Sequence, residues 1–286
     1  MSSEAIGILL SMGFNETQSL DALTECSGDV ERAIDFLLGA GVTAFDSDNN
    51  ASGATAETSI VNSEISQYTN SAMGRSACTS IALTLACSAL SKLQKCCSNI
   101  ENTITSSLLS DSIKQGLQMY NELQKNDNFN VEHLSVEDIL RLPIPRSTFS
   151  SLHLLPNSPR QGILSSSSDN PIGLHYILSA CQSDANNDQS YIAVIITKPP
   201  ETVLVLLPAS NVPSEQNYVL LDSHPRPNQF PPHYPTGSFA LFHSSLHSLV
   251  RSLEEIFPVV DLGSDVNEMM AMMYNSFDVY PFQLNG

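Results

Sequence analysis

Long hydrophobic runs are missing from this 286-residue chain. The longest, Ile192–Ile196 and Val203–Leu207, are strand-sized, far short of the ~20 apolar residues of a membrane span. The first ten residues have neither the basic start nor the apolar stretch of a secretory signal. No membrane association is expected. The six cysteines, Cys26, Cys78, Cys87, Cys96, Cys97 and Cys181, include no C-x-x-C pair. That disfavours a structural zinc site and predicts free thiols in a reducing, intracellular compartment, cytoplasmic or nuclear. Basic residues are also scarce, with 12 Lys and Arg against 30 Asp and Glu and a net charge of −18. Such a chain repels phosphate backbones, so no nucleic-acid partner is expected; an acidic surface favours partners with exposed Arg or Lys. Three catalytic signatures are absent as well. Ser244 stands where the H-E-x-x-H zinc motif needs Glu between His243 and His247, and there is no G-x-S-x-G elbow or glycine-rich phosphate loop. No metal or cofactor is expected.

Apolar residues make up 42% of the chain, enough for a packed core. The first forty residues read as three short helices. Ser3–Ser11 carries Ala5, Ile6, Leu9 and Leu10, and Met12-Gly13-Phe14 makes a break. Asn15 caps a second helix with Leu20 and Leu23, and Asp29 caps a third, Val30–Leu38, that ends at Gly39. Residues 45–61 are rich in Asp, Asn, Ser, Ala and Thr without apolar periodicity. The expected division is a domain over 1–41, a linker over 42–61 and a second domain over 62–286.

In the second domain helices come first. A buried helix begins near Ser76, and further segments lie near Ile100–Gln124 and Val136–Leu140. Arg141–Pro171 is expected to be irregular. Then the period changes: Tyr191–Thr197, Thr202–Leu207, Tyr218–Leu221 and Ser238–Phe242 read as strands, followed by a helix near Ser245–Ile256. This order predicts an α+β domain with an antiparallel sheet in its C-terminal half. Met269, Met270, Met272 and Met273 read either as a packed terminal helix or as an adaptable binding surface.

One constellation carries chemistry. Cys78 falls where a polar stretch gives way to the buried helix. A thiol there feels the positive end of the helix dipole, which favours the thiolate, and lies beside backbone N–H groups that can hold an oxyanion. Gly74 would let the chain turn sharply into that position. Far downstream, Asp222 and His224 are two residues apart at a strand end, with side chains expected on one face. A carboxylate so placed can orient an imidazole and stabilise its charged form. Gln67, eleven residues before Cys78, could donate its amide to the oxyanion, or be an ordinary surface glutamine. His175, His233, His243 and His247 read as structural.

The segments Ile8–Phe14, Ala22-Leu23 and Gly28–Leu38 resemble a ubiquitin-associated (UBA) domain, a three-helix unit. By that resemblance Met12, Gly13, Phe14, Leu37 and Leu38 form an apolar patch that docks on ubiquitin. The rest of the chain is similar to the papain-like deubiquitinases related to the herpesvirus large tegument protein. The similarity rests on Gln67, the segment Gly74–Leu83 and Asp222-Ser223-His224. It implies a papain-like cysteine peptidase acting after the terminal glycine of ubiquitin, with Cys78 as nucleophile, His224 as general base, Asp222 as its partner and Gln67 at the oxyanion. Ubiquitin, polyubiquitin chains and ubiquitinated proteins are the implied partners. Rival readings are a catalytically silent ubiquitin-binding adaptor, a peptidase for another ubiquitin-like modifier, and a papain-fold transferase. Oligomeric state is not legible.

Overall fold

The computed structural model describes residues 5, 6, 20, 23, 59–69, 74, 76–95, 99–126, 133–165, 170–185, 190–210, 217–263 and 266–285. The chain divides into two compact units, Met1–Thr55 with Leu262–Asp265, and Ala56–Asp261 with Val266–Gly286. In the first, Ala5, Ile6, Leu20 and Leu23 are helical, and Ala5 and Leu23 are buried. Met12, Gly13, Phe14, Leu37 and Leu38 lie outside the described residues.

The second unit is organised by an eight-stranded sheet. Its strands are β1 (Ser59–Asn62), β2 (Leu152–Leu154), β3 (Arg160–Ile163), β4 (Tyr191–Lys198), β5 (Glu201–Pro208), β6 (Tyr218–Asp222), β7 (Phe239–His243) and β8 (Ser276–Leu284). They run in the order β1-β7-β6-β5-β4-β8-β2, with β3 also on β8. All pairings among the described residues are antiparallel. Alternate residues of the central strands feed two cores. Ala193, Ile195, Leu204, Leu206 and Leu221 face helices α1 (Cys78–Lys95), α3 (Ser106–Asn126) and α4 (Val136–Arg141). Ile192, Val194, Val203, Val205 and Leu220 face α6 (Leu174–Ser183) and α7 (Leu246–Ile256). Burial on both faces explains why these strands read as continuous apolar runs, without the alternation of a half-exposed antiparallel sheet.

Helix α1 is the backbone of the first core. It lies against α3 so closely that a Cβ on Gly116 would come 2.6 Å from the Ile81 Cα. Its first turn is tied to the sheet through Thr79 Oγ1, 3.2 Å from Thr202 Oγ1, which is itself 3.1 Å from Thr197 Oγ1.

Several expectations need correction. Residues 59–61, assigned to the linker, belong to β1, whose register on β7 pairs Ile60 with Leu241; four residues are too few to show a period. The expected helix over Ile100–Gln124 is two, α2 (Ile100–Thr103) and α3, broken at Ile104 and Thr105. Arg141–Pro171 is not irregular throughout. It holds α5 (Pro143–Thr148), with proline in the first turn where its missing N–H is harmless, then β2 and β3.

The largest omission is β8. Pro281 lies inside it, and proline argues against a central strand. The Pro281 carbonyl accepts from Leu155 N at 2.9 Å, on the side away from β4. N and C=O of one strand residue point the same way, so the missing donor faces the gap between β3 and β2 and removes no bond to β4. The methionines form α8 (Glu268–Tyr274), which has no buried residue; Met269 and Met273 are about 70% exposed. The packed-helix reading is overturned: none of the four methionines is buried.

Candidate active site

Cys78 is the first residue of α1, as the sequence pattern predicts. Its backbone N–H and those of the next residues have no acceptor within the helix. The thiol donates to the Pro200 carbonyl at 3.8 Å, in the turn between β4 and β5. Behind it the space is closed by Ile81, Ala82, Thr202, Leu221 and Ser223. Cys78 is 2% exposed and His224 3%. The site in this state is shut to an extended peptide.

β6 ends at Asp222, so His224 lies just past the strand and the pleat does not align the pair. Two hydrogen bonds do: Asp222 Oδ1 accepts from His224 N at 2.9 Å and lies 2.6 Å from Nδ1. Nδ1 is thereby committed, and Cys78 lies close enough to the imidazole to contribute to its raised pKa. Burial opposes charging of His224, but the carboxylates of Asp222 and Glu201 outweigh it and raise the pKa well above the ordinary histidine range. Burial alone would push the Asp222 pKa up; the Arg226 guanidinium and His224 reverse this and bring it down to about 2. An anionic carboxylate therefore sits behind a readily protonated imidazole, which faces a thiol. That arrangement can generate a nucleophilic sulfur and pass its proton to a leaving group.

Gln67 is fully buried, not an ordinary surface glutamine. Its Oε1 accepts from Ser223 Oγ at 2.8 Å and its backbone N–H donates to the Ser223 carbonyl at 3.1 Å. The amide is thereby oriented, with Nε2 as its donor end. Gly74 is needed for close approach, not for a sharp turn. A Cβ there would lie 1.9 Å from the Gln67 carbonyl oxygen, so only glycine lets the approach to α1 press against this residue.

Sequence reasoning missed four residues around this core. Ser223, between Asp222 and His224, fixes the Gln67 amide. Arg226 donates from Nε to Asp222 Oδ2 at 2.9 Å and from its Nη atoms to Glu201 at 2.7 and 3.4 Å. Tyr68, partly exposed, sets its ring edge-on to the imidazole at 5.9 Å between centroids. For Arg226 a signal existed, a lone cation two residues after the histidine in an acidic chain; Glu201 and Ser223 had none. Among the other histidines, His243 pairs with Tyr218 at the opposite end of β6 from Asp222. His175 and His247 are exposed helix residues, and His233 is half-buried in the proline-rich segment. Among the described residues no group of three or more His, Cys, Asp or Glu side chains could hold a metal ion, and no helix is long and apolar enough to cross a membrane.

Comparison with known proteins adds two findings. Residues 1–37 match the model of the UBA/TS-N domain. The chain is similar in structure to the ubiquitin-specific protease encoded by a murine cytomegalovirus tegument protein, solved with a ubiquitin-based suicide substrate. The TM-score is 0.51 at 11% identity, over 79% of this chain and 87% of that one. At that identity the likeness is one of fold. A search of the curated proteins finds no match.

Proposed function

We propose that this protein is a papain-like cysteine peptidase that removes ubiquitin from proteins. The observation that carries the reading is the convergence of Cys78, at the start of α1, with the Asp222–His224 pair some 150 positions later. The N-terminal match to a UBA domain and the fold shared with a viral ubiquitin-specific protease support ubiquitin as substrate.

In this mechanism His224 takes the Cys78 proton, and the thiolate attacks the carbonyl of ubiquitin's terminal glycine. Gln67 Nε2 and the Cys78 backbone N–H hold the oxyanion. The imidazolium, stabilised by Asp222, protonates the leaving amine, and His224 then activates water to release the acyl group. Entry of the tail requires the sulfur to leave the Pro200 carbonyl. The acidic net charge suits the arginine-bearing tail of ubiquitin. Met12, Gly13, Phe14, Leu37 and Leu38, as the patch of the UBA domain over 1–41, hold ubiquitin near the site and raise its effective concentration.

The burial of Cys78 favours a second reading, a catalytically silent ubiquitin-binding adaptor. A ubiquitin probe with a C-terminal electrophile separates the two. Covalent capture by the wild-type chain and none by Cys78→Ala is expected; binding without an adduct sinks the peptidase reading. Fluorogenic substrates made from different modifiers test whether ubiquitin or a relative is cleaved.

A further inference from the structure

Resting on that reading, we propose that Arg226 is a positioning residue of the site: its guanidinium, clamped by Glu201, holds the Asp222 carboxylate in the orientation that aims His224 at Cys78. The two oxygens of Asp222 have separate duties. Oδ1 accepts both hydrogen bonds from His224, and Oδ2 accepts from Arg226 Nε. A carboxylate held through one oxygen can swing about its Cβ–Cγ bond and carry the imidazole with it. The second bond stops that rotation.

Arg226 can do this because it is itself immobilised. Its fork sits on both carboxylate oxygens of Glu201, and its side chain is 12% exposed. Its backbone N–H donates to the Pro235 carbonyl at 2.7 Å, closing the proline-rich segment on itself. That segment is pinned to the end of α7: Phe230 N donates to Glu255 Oε1 at 3.0 Å and Gln229 Nε2 to the Glu255 carbonyl at 2.9 Å. Glu201 is the first residue of β5 and follows Pro200, whose carbonyl receives the thiol. One cation therefore ties the end of β6, the segment after His224 and the turn facing Cys78. Lysine cannot reproduce the arrangement, because a point charge lacks the planar fork that reaches two carboxylates at once.

The charged and titratable groups around His224 come from several elements. Asp222 and Arg226 belong to its own segment, Glu201 to β5, Cys78 to α1, and Tyr68 to the stretch after β1. Lys198 faces Glu201 across the β4–β5 turn.

The test uses the full chain as wild type, Arg226→Met, Arg226→Lys and Glu201→Gln, with melting curves to verify folding. Alkylation of Cys78 by iodoacetamide is followed against pH, beside capture by the electrophilic ubiquitin probe and turnover of a fluorogenic ubiquitin substrate. Arg226→Met should move the low-pH limb of alkylation upward, and Glu201→Gln downward, each by about one pH unit, the effect of one charge at close range in a partly screened site. Arg226→Lys should leave that limb near its wild-type place while kcat falls about tenfold at unchanged KM, as a misaligned catalytic group would cause. If Arg226→Met does not fold, the other two variants carry the test. An arginine that acts only by its charge would move the limbs yet leave Arg226→Lys at wild-type kcat, and a merely structural one would lower the melting temperature and leave every limb in place; either result overturns the proposal. A wild-type chain with neither a low-pH limb nor probe capture overturns the peptidase reading and this one with it. A reactive wild type with coinciding limbs overturns only the role of Arg226.

Discussion

Substituting Gly74 by alanine tests whether the backbone itself sets the oxyanion donor. The new Cβ would lie 1.9 Å from the Gln67 carbonyl oxygen, 3.0 Å from its carbon and 3.3 Å from Leu117 Cδ2. Leu117 is a flexible side chain end and can yield; the Gln67 backbone cannot yield alone, because its N–H is bonded to Ser223. Restoring an ordinary contact of 3.4 Å from 1.9 Å requires about 1.5 Å of relative displacement between the two segments, and Gln67 Nε2 must move with its backbone. Overpacking of this kind costs about 1–3 kcal/mol of stability, or roughly 2–4 °C in Tm per kcal/mol for a unit of this size. Misplacing a catalytic donor by ~1 Å costs about a hundredfold in rate, close to the loss expected when an oxyanion donor is removed. Turnover of a fluorogenic ubiquitin substrate should therefore drop about a hundredfold in kcat, and iodoacetamide alkylation of Cys78, which builds no oxyanion, should change little. Gly162→Ala is the control. Its Cβ meets Phe277 Cζ at 2.2 Å and the Ile172 carbonyl oxygen at 2.7 Å, in the core on the other face of the sheet from α1, so it loses stability without touching Gln67 or Cys78, and a folded fraction with near-normal kcat is expected. A folded Gly74→Ala protein with wild-type kcat would refute the argument that this glycine places the amide.

Removing the hydroxyl of Ser223 should lower kcat roughly fivefold with KM unchanged, the worth of one neutral hydrogen bond of ~1 kcal/mol, because Gln67 Oε1 loses its 2.8 Å partner. Acid sensitivity should appear in two windows. Burial lowers the His243 pKa to about 4 from 6.5, so its contribution is complete above pH 6.5 and is lost as pH falls toward 4, roughly 3 kcal/mol in all. Denaturant melts of His243→Leu should be flat across that window; a slope equal to wild type would refute the assignment. Asp222, lowered from 3.8 to about 2, contributes above pH 3.8 and loses that contribution as pH falls toward 2. His224 has the opposite sign. Its raised pKa stabilises the fold below pH 6.5, and that contribution fades as pH climbs through the raised value. Asp222→Asn should remove the lowest window and abolish most turnover, since a neutral amide cannot support the imidazolium.

Much of the architecture was legible along the chain. β4, β5, β6, β7 and α7 fall close to their expected places because each is an uninterrupted apolar run or amphipathic period. Short or conflicted elements were not. β1 has four residues, and β8 carries a proline whose compatibility depends on where β2 and β3 stop. The methionines of α8 have the composition of a core segment, and composition alone does not say that the helix packs on nothing.

The site divides in the same way. Sequence alone determined that a cysteine heads a helix and that an aspartate and a histidine stand two apart at a strand end, since both are local facts of spacing and period. Tertiary structure decided that His224, among seven histidines, is the one held by Asp222 and near enough to Cys78 to feel it. It also decided that Ser223 locks Gln67, and that Glu201 and Arg226 complete the charge network. Those choices depend on sheet order and on glycine-tight contacts between distant segments. No local pattern encodes them, because the energy of each contact exists only once its partner has been brought alongside.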